Sequence, residues 1–135
     1  MGELSRGLLD TSILIALEEQ GSLAASLPEA LAISAATLAE LHYGVLVAKN
    51  NSLRQQRLQR LGVIEATFEP IPLDAEVARA FAAVAHTVKA FGKQPRARVM
   101  DLWIAATALA KDIPLLTRNV KDFEGLEELI EVRML

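Results

Sequence analysis

A chain of 135 residues, 52% apolar and with a net charge of −3, is long enough to bury one full core and too short for two. The absence of cysteine excludes a disulfide framework and a thiolate metal site, and it fits a reducing cytoplasm. No basic N-terminal region leads into a long apolar stretch and no apolar run is long enough to span a bilayer, so neither a signal peptide nor membrane association is expected.

The apolar fraction is carried by aliphatic residues and alanine, with aromatics at only 4% and a mean hydropathy of +0.28. That composition favours closely packed helices and exceeds what a lone small domain hides, so a homodimer or a bound partner is expected. Charge is unevenly spread. Residues 77–100 contain Arg79, Lys89, Lys93, Arg96 and Arg98 and no acid, whereas residues 122–131 contain Asp122, Glu124, Glu127, Glu128 and Glu131 and no base. Such a window is ordinarily a solvated face, and it gains meaning only beside a site.

Residues 5–9 read as a short apolar strand that runs into Asp10, and residues 12–19 as a first helix ending near Gly21. Asp10 or Ser12 is placed to cap that helix. A second short helical stretch covers residues 22–28 and stops at Pro28. Residues 31–34 read as a second strand, after which Ser34 or Thr37 opens a helix reaching about Ala48 with a stripe of Leu38, Leu41, Val45 and Ala48. Asn50, Asn51 and Ser52 break the chain. Residues 53–67 form an amphipathic helix in which Leu53, Leu58, Leu61 and Ile64 oppose Arg54, Arg57 and Arg60, read as a solvated face. Residues 70–73 read as a third strand, and Asp74 caps a helix over residues 75–91. After the loop at residues 92–95, residues 98–111 form a helix that is apolar nearly all round. Residues 113–117 are a fourth strand, residues 119–123 a turn, and residues 129–133 a last strand.

Short apolar strands alternating with helices specify a three-layer α/β/α fold with a short, mainly parallel central sheet flanked by helices. Right-handed crossovers place every strand's C-terminal end along one edge, where such folds bind ligands at the reversal of strand order. Asp10 closes the first strand and lies on that edge. Glu40, about one turn into the helix after the second strand, reaches it from outside the apolar stripe. Asp101 is the least comfortable residue: its helix is apolar on the remaining sides, and a buried carboxylate must be paired or metal-bound unless the helix N-terminus alone supports it. A fourth position stays open between Asn119, a neutral oxygen, and Asp122, a charge.

Taken together, this oxygen-rich set without sulfur or a histidine pair calls for a hard cation such as Mg²⁺ or Mn²⁺. The ion would relieve repulsion among the carboxylates, polarise a phosphoryl oxygen and acidify a water, which is what phosphodiester hydrolysis requires. Lys93, Arg96 and Arg98 then border the cleft as phosphate contacts, with Arg118 beside them. His42 and His86 are isolated and read as surface or packing residues, and Trp103 and Tyr43 as core or dimer contacts rather than base-stacking platforms.

Four stretches carry a family resemblance: Leu8-Leu9-Asp10-Thr11-Ser12, Ala39-Glu40-Leu41-His42-Tyr43-Gly44, Asp101-Leu102-Trp103-Ile104-Ala105-Ala106-Thr107-Ala108 and Leu116-Thr117-Arg118-Asn119-Val120-Lys121-Asp122-Phe123. In this order and spacing the chain resembles the PIN-domain nucleases, and within them the VapC-type toxins of bacterial toxin–antitoxin modules. The resemblance covers essentially all of residues 1–135 and implies a single PIN domain, an endoribonuclease using Mg²⁺ or Mn²⁺, inhibition by a cognate VapB-type antitoxin, and a homodimer. The family's first three acids fall on Asp10, Glu40 and Asp101, its hydroxyl after the first acid on Thr11 or Ser12, and its threonine near the last strand on Thr117. Many members carry an aspartate where Asn119 stands, and Asp122 then supplies the missing charge. Ser12 can cap the first helix while Asp10 binds the metal.

Two other readings compete. A phosphoacceptor receiver domain also gathers acids and Mg²⁺ at a parallel-sheet edge, but it calls for an adjacent acid pair after the first strand and a lysine closing the last. A catalytically inactive PIN scaffold that only binds RNA or protein accounts for Asn119 but leaves Asp101 without a purpose.

Overall fold

The computed structural model describes residues 6–19 and 30–135. Four parallel strands, β1 (Arg6–Leu9), β2 (Ala30–Ala32), β3 (Leu115–Thr117) and β4 (Val132–Met134), form a sheet in the order β2-β1-β3-β4. Among the described residues five α-helices surround it: α1 (Thr11–Glu19), α2 (Ala35–Leu46), α3 (Asn51–Thr67), α4 (Ala75–Phe91) and α5 (Val99–Lys111). The helical stretch expected at residues 22–28 lies outside the described residues.

Alternation along the strands builds the three layers. Leu8 and Leu115 are buried in one core with Val77, Val84 and Val88 of α4 and the apolar face of α5. Their neighbours Leu9 and Leu116 join Ile13, Leu14, Leu41, Leu61 and Ile64 of α1, α2 and α3 in the other. Phe81 of α4 and Trp103 of α5 meet with ring centroids 4.2 Å apart, so Trp103 is a packing contact.

The chain leaves β1 toward β2 on one side and leaves β3 toward β4 on the other. The switch in strand order therefore falls between β1 and β3, whose register pairs Leu8 with Leu115 and Leu9 with Leu116. Asp10 and Thr117 lie at the C-terminal ends of these two strands, and Asp10 N donates to Leu116 O at 3.1 Å.

Several expectations are corrected. The strand expected at residues 70–73 is a single bridge of Ile71 to Ser34. Pro70 and Pro72 have no N–H to give a ladder, which leaves Ile71 N bonded to Ile33 O and Ile71 O accepting from Ala35 N. Ser34, not Thr37, caps α2, its Oγ accepting from Ala36 N at 3.0 Å. α5 begins at Val99 behind a 3-10 turn, Pro95–Arg98, and residues Val120–Phe123 form a second 3-10 turn. The last strand is displaced from residues 129–133 to Val132–Met134.

The arginines of α3 are not a purely solvated face. Arg57 Nη1 donates to Gly44 O at 2.6 Å, Arg54 Nε to Val45 O at 3.4 Å, and Arg60 lies 4.0 Å from Glu18. The last carbonyls of α2 have no partner within their own helix, and cations there also complement its dipole. Leu58, placed on the apolar face of α3, is exposed instead. His42 pairs with Glu65 at 3.1 Å on the surface, and His86 is exposed. Asp74 caps α4 as expected, accepting from Val77 N at 3.0 Å. No helix among the described residues is long and apolar enough to cross a membrane.

Candidate functional site at the sheet edge

Asp10 is 6% exposed and tied down on both oxygens. Oδ1 accepts from Ser12 Oγ at 2.6 Å and from Ile13 N at 3.2 Å, and Oδ2 accepts from Thr117 Oγ1 at 2.5 Å. Capping and site chemistry thus meet in one carboxylate: of the two expected candidates Asp10 itself caps α1, and Ser12 holds Asp10. The two hydroxyls are fixed in turn by the loop after β3. Arg118 N donates to Ser12 Oγ at 3.1 Å and Asn119 N to Thr117 Oγ1 at 2.9 Å. A buried carboxylate satisfied in this way keeps one orientation.

Glu40, half-buried on α2, is held from α1. Thr11 Oγ1 donates to Glu40 Oε1 at 2.6 Å and lies 3.4 Å from Thr37 Oγ1, a buried hydroxyl one turn earlier on α2. Thr11 and Ser12, interchangeable in the sequence, therefore serve different acids.

Asp101, the third residue of α5, is half-buried, and its carboxyl is pushed up to about 6. Burial is the largest cause, followed by the negative charges of Asp122 and Glu40; Arg98 opposes them and Asp10 adds a smaller upward push. Four acids from α1's cap, α2, α5 and the turn after β3 therefore share one electrostatic neighbourhood. Among the described residues no three of them are gathered as a ready-made cage for a metal. Asp10 is instead held by two hydroxyls and a backbone N–H, Glu40 by Thr11, and Asp122 by Arg98, which also lies 3.8 Å from Asp101.

At the fourth position the two candidates differ in their surroundings. Asp122 acts on Asp101 more strongly than any other charged neighbour, whereas Asn119 is exposed and contributes its backbone N–H. The expected phosphate contacts divide. Arg98 faces inward, with Nη1 3.1 Å from Asp122 Oδ1 and 3.8 Å from Asp101 Oδ2. Lys93 pairs with Glu124 at 3.3 Å and donates to Lys121 O. Arg96 and Arg118 are exposed. Sequence reasoning missed Thr37 and the division of labour between Thr11 and Ser12; a threonine one turn before the glutamate was the available signal.

The donor set fits a hard divalent cation. It is all oxygen, and its residual negative charge, felt at Asp101 even beside Arg98, is what such an ion would neutralise.

A sequence model of the PIN domain matches residues 7–129. The chain is 38% identical over 130 residues to "Ribonuclease VapC5" of Mycobacterium tuberculosis, covering 96% of this chain and 93% of that one. It is 33% identical over 124 residues to "Ribonuclease VapC" of Rickettsia bellii, covering 90% and 91%. Its structure superposes on the crystal structure of VapBC-5 from Mycobacterium tuberculosis, a member of the VapBC family of toxin–antitoxin systems, with a TM-score of 0.78, 34% identity and 97% and 98% coverage. The acids at the switch point thus sit in a fold and a sequence with named relatives, and no receiver domain is needed to account for them. The chain belongs to the PIN-domain family and, within it, to the VapC group.

Proposed function

We propose that this chain is a cation-dependent endoribonuclease, the toxin of a toxin–antitoxin module, acting in the cytoplasm on RNA phosphodiester bonds. The observation that carries the reading is the gathering of Asp10, Glu40, Asp101 and Asp122, from four separate segments, at the β1/β3 switch point, where burial first and then the charges of Asp122, Glu40 and Asp10 push the Asp101 carboxyl up.

Asp10 and Asp101 would hold the principal ion, Mg²⁺ or Mn²⁺, with Glu40 alongside and Asp122 completing the charge. When bound, the ion supplies Lewis-acid polarisation of a phosphoryl oxygen and lowers the pKa of a water. The chain's own residues do the positioning. Thr117 and Ser12 fix the Asp10 carboxylate, and Thr11 holds Glu40 Oε1, leaving its second oxygen to orient the attacking water and take up its proton. Arg96 and Arg118 at the rim supply positive charge for the phosphates of a bound strand, with sequence choice left to the shape of the cleft.

The likeness to the VapBC-5 toxin–antitoxin structure supports a VapB-type antitoxin as partner. So does apolar surface on α2 and α3, where Tyr43, Leu46 and Leu58 are 67%, 73% and 55% exposed, suiting an antitoxin segment or the second protomer of a homodimer.

The test is RNA cleavage by the purified protein with Mg²⁺ or Mn²⁺ and with chelator. Wild type should cut only with the cation, and Asp101→Asn should bind RNA without cutting it. Equal cleavage by both proteins would defeat the assignment, and RNA binding without cleavage by wild type would favour the inactive scaffold.

A further inference from the structure

The acids at the sheet edge already have one cationic companion, and local backbone chemistry does not account for it. Arg98 stands at the N-cap of α5, where its side chain makes no capping hydrogen bond. A positive charge at a helix N-terminus opposes the macrodipole, so the site that favours Asp101 disfavours Arg98. What holds the guanidinium is the acids: Nη1 donates to Asp122 Oδ1 at 3.1 Å and lies 3.8 Å from Asp101 Oδ2. One side chain thereby joins two carboxylates from segments otherwise distant in sequence, α5 and the turn Val120–Phe123. Lys93, from the same basic window, makes its ion pair with Glu124 instead.

Resting on the reading of this edge as a cation site, we propose that Arg98 is a built-in counter-ion. It holds Asp122 and screens Asp101 in the cation-free protein, and it must withdraw when a divalent cation loads. A guanidinium and a divalent cation repel each other and compete for the same carboxylate oxygens, so the Arg98 pairs subtract from the affinity of the site. Arg98 is in this sense a positioning residue. It keeps Asp122 beside Asp101 without metal and sets the cation concentration at which the site fills.

The experiment is calorimetric titration of the purified chain with Mn²⁺, comparing wild type with Arg98→Gln, Arg98→Lys and Arg96→Gln. A half-exposed pair of this kind predicts about two- to five-fold tighter binding by Arg98→Gln. Arg98→Lys, which keeps the charge, should stay close to wild type, and Arg96→Gln, which removes an exposed charge two residues away, should leave the affinity unchanged. Without metal, Arg98→Gln should melt earlier than wild type, and adding Asp122→Asn should restore part of the loss. Unchanged or weaker binding by Arg98→Gln, or equal tightening by Arg96→Gln, overturns the counter-ion role while leaving the cation site standing. No Mn²⁺ uptake by wild type removes the cation reading itself, and this inference with it.

Discussion

Asp101 sits where two effects oppose each other, a helix N-terminus that favours a carboxylate and a half-buried pocket shared with Asp122, Glu40 and Asp10 that disfavours its charge. Its proton is released near 3.8 in the unfolded chain and at about 6 in the fold. Between those values the folded protein retains a proton that the unfolded chain has lost, so stability falls as pH rises; above about 6 the penalty is complete. Asp101→Asn removes it. In chelator, the variant should melt higher than wild type at pH 7 to 8, with a gap that narrows as pH falls and closes below about pH 4. Thermal melts across that range check this, and a gap independent of pH would contradict it. The same substitution should abolish RNA cleavage, so stability and activity part company at one atom. Thr11 makes a second prediction at this scale. Thr11→Val deletes the hydroxyl that holds Glu40 and should lower cleavage by about 10- to 100-fold, whereas Thr11→Ser, which keeps it, should retain most activity. Equal loss in both variants would make Thr11 a packing residue only.

At the level of elements, β3 does more than pair with its neighbours. Its last residue, Thr117, links Asp10 on β1's end to the loop carrying Asn119, donating to one and accepting from the other. Thr117→Val keeps the shape and removes both bonds, leaving a buried carboxylate oxygen and an amide N–H short of partners. Chemical denaturation should show a loss of about 1–3 kcal/mol. A loss within about 0.5 kcal/mol would indicate that the strand end is redundant. The elements were largely legible in the sequence, because the short continuous apolar runs of β1 and β3 and the long helical stretches of α4 and α5 stand out between turn residues. The failures have local causes. Pro70 and Pro72 deny residues 70–73 a ladder, and the arginines of α3 show a polar face without showing that another helix ends against it. Hydroxyl assignments at Thr11 and Ser12 were open for a similar reason: successive residues on a helix start point about 100° apart, and which acid each meets depends on α2 and β3.

For the molecule as a whole, the sheet order β2-β1-β3-β4 turns scattered acids into a site. Each of Asp10, Glu40 and Asp101 was identifiable from its place in a parallel α/β pattern, but Arg98's inward turn was not, since a basic window bordering an acidic site suits substrate and acid equally well. The central claim, that these carboxylates hold a divalent cation at the switch point, is tested most directly by anomalous diffraction from a crystal soaked in Mn²⁺. The expected result is a strong anomalous peak shared by the carboxylates of Asp10 and Asp101, absent from Asp101→Asn crystals. A Mn²⁺-soaked wild-type crystal with no peak at these two residues, from protein that still cleaves RNA, would contradict the account.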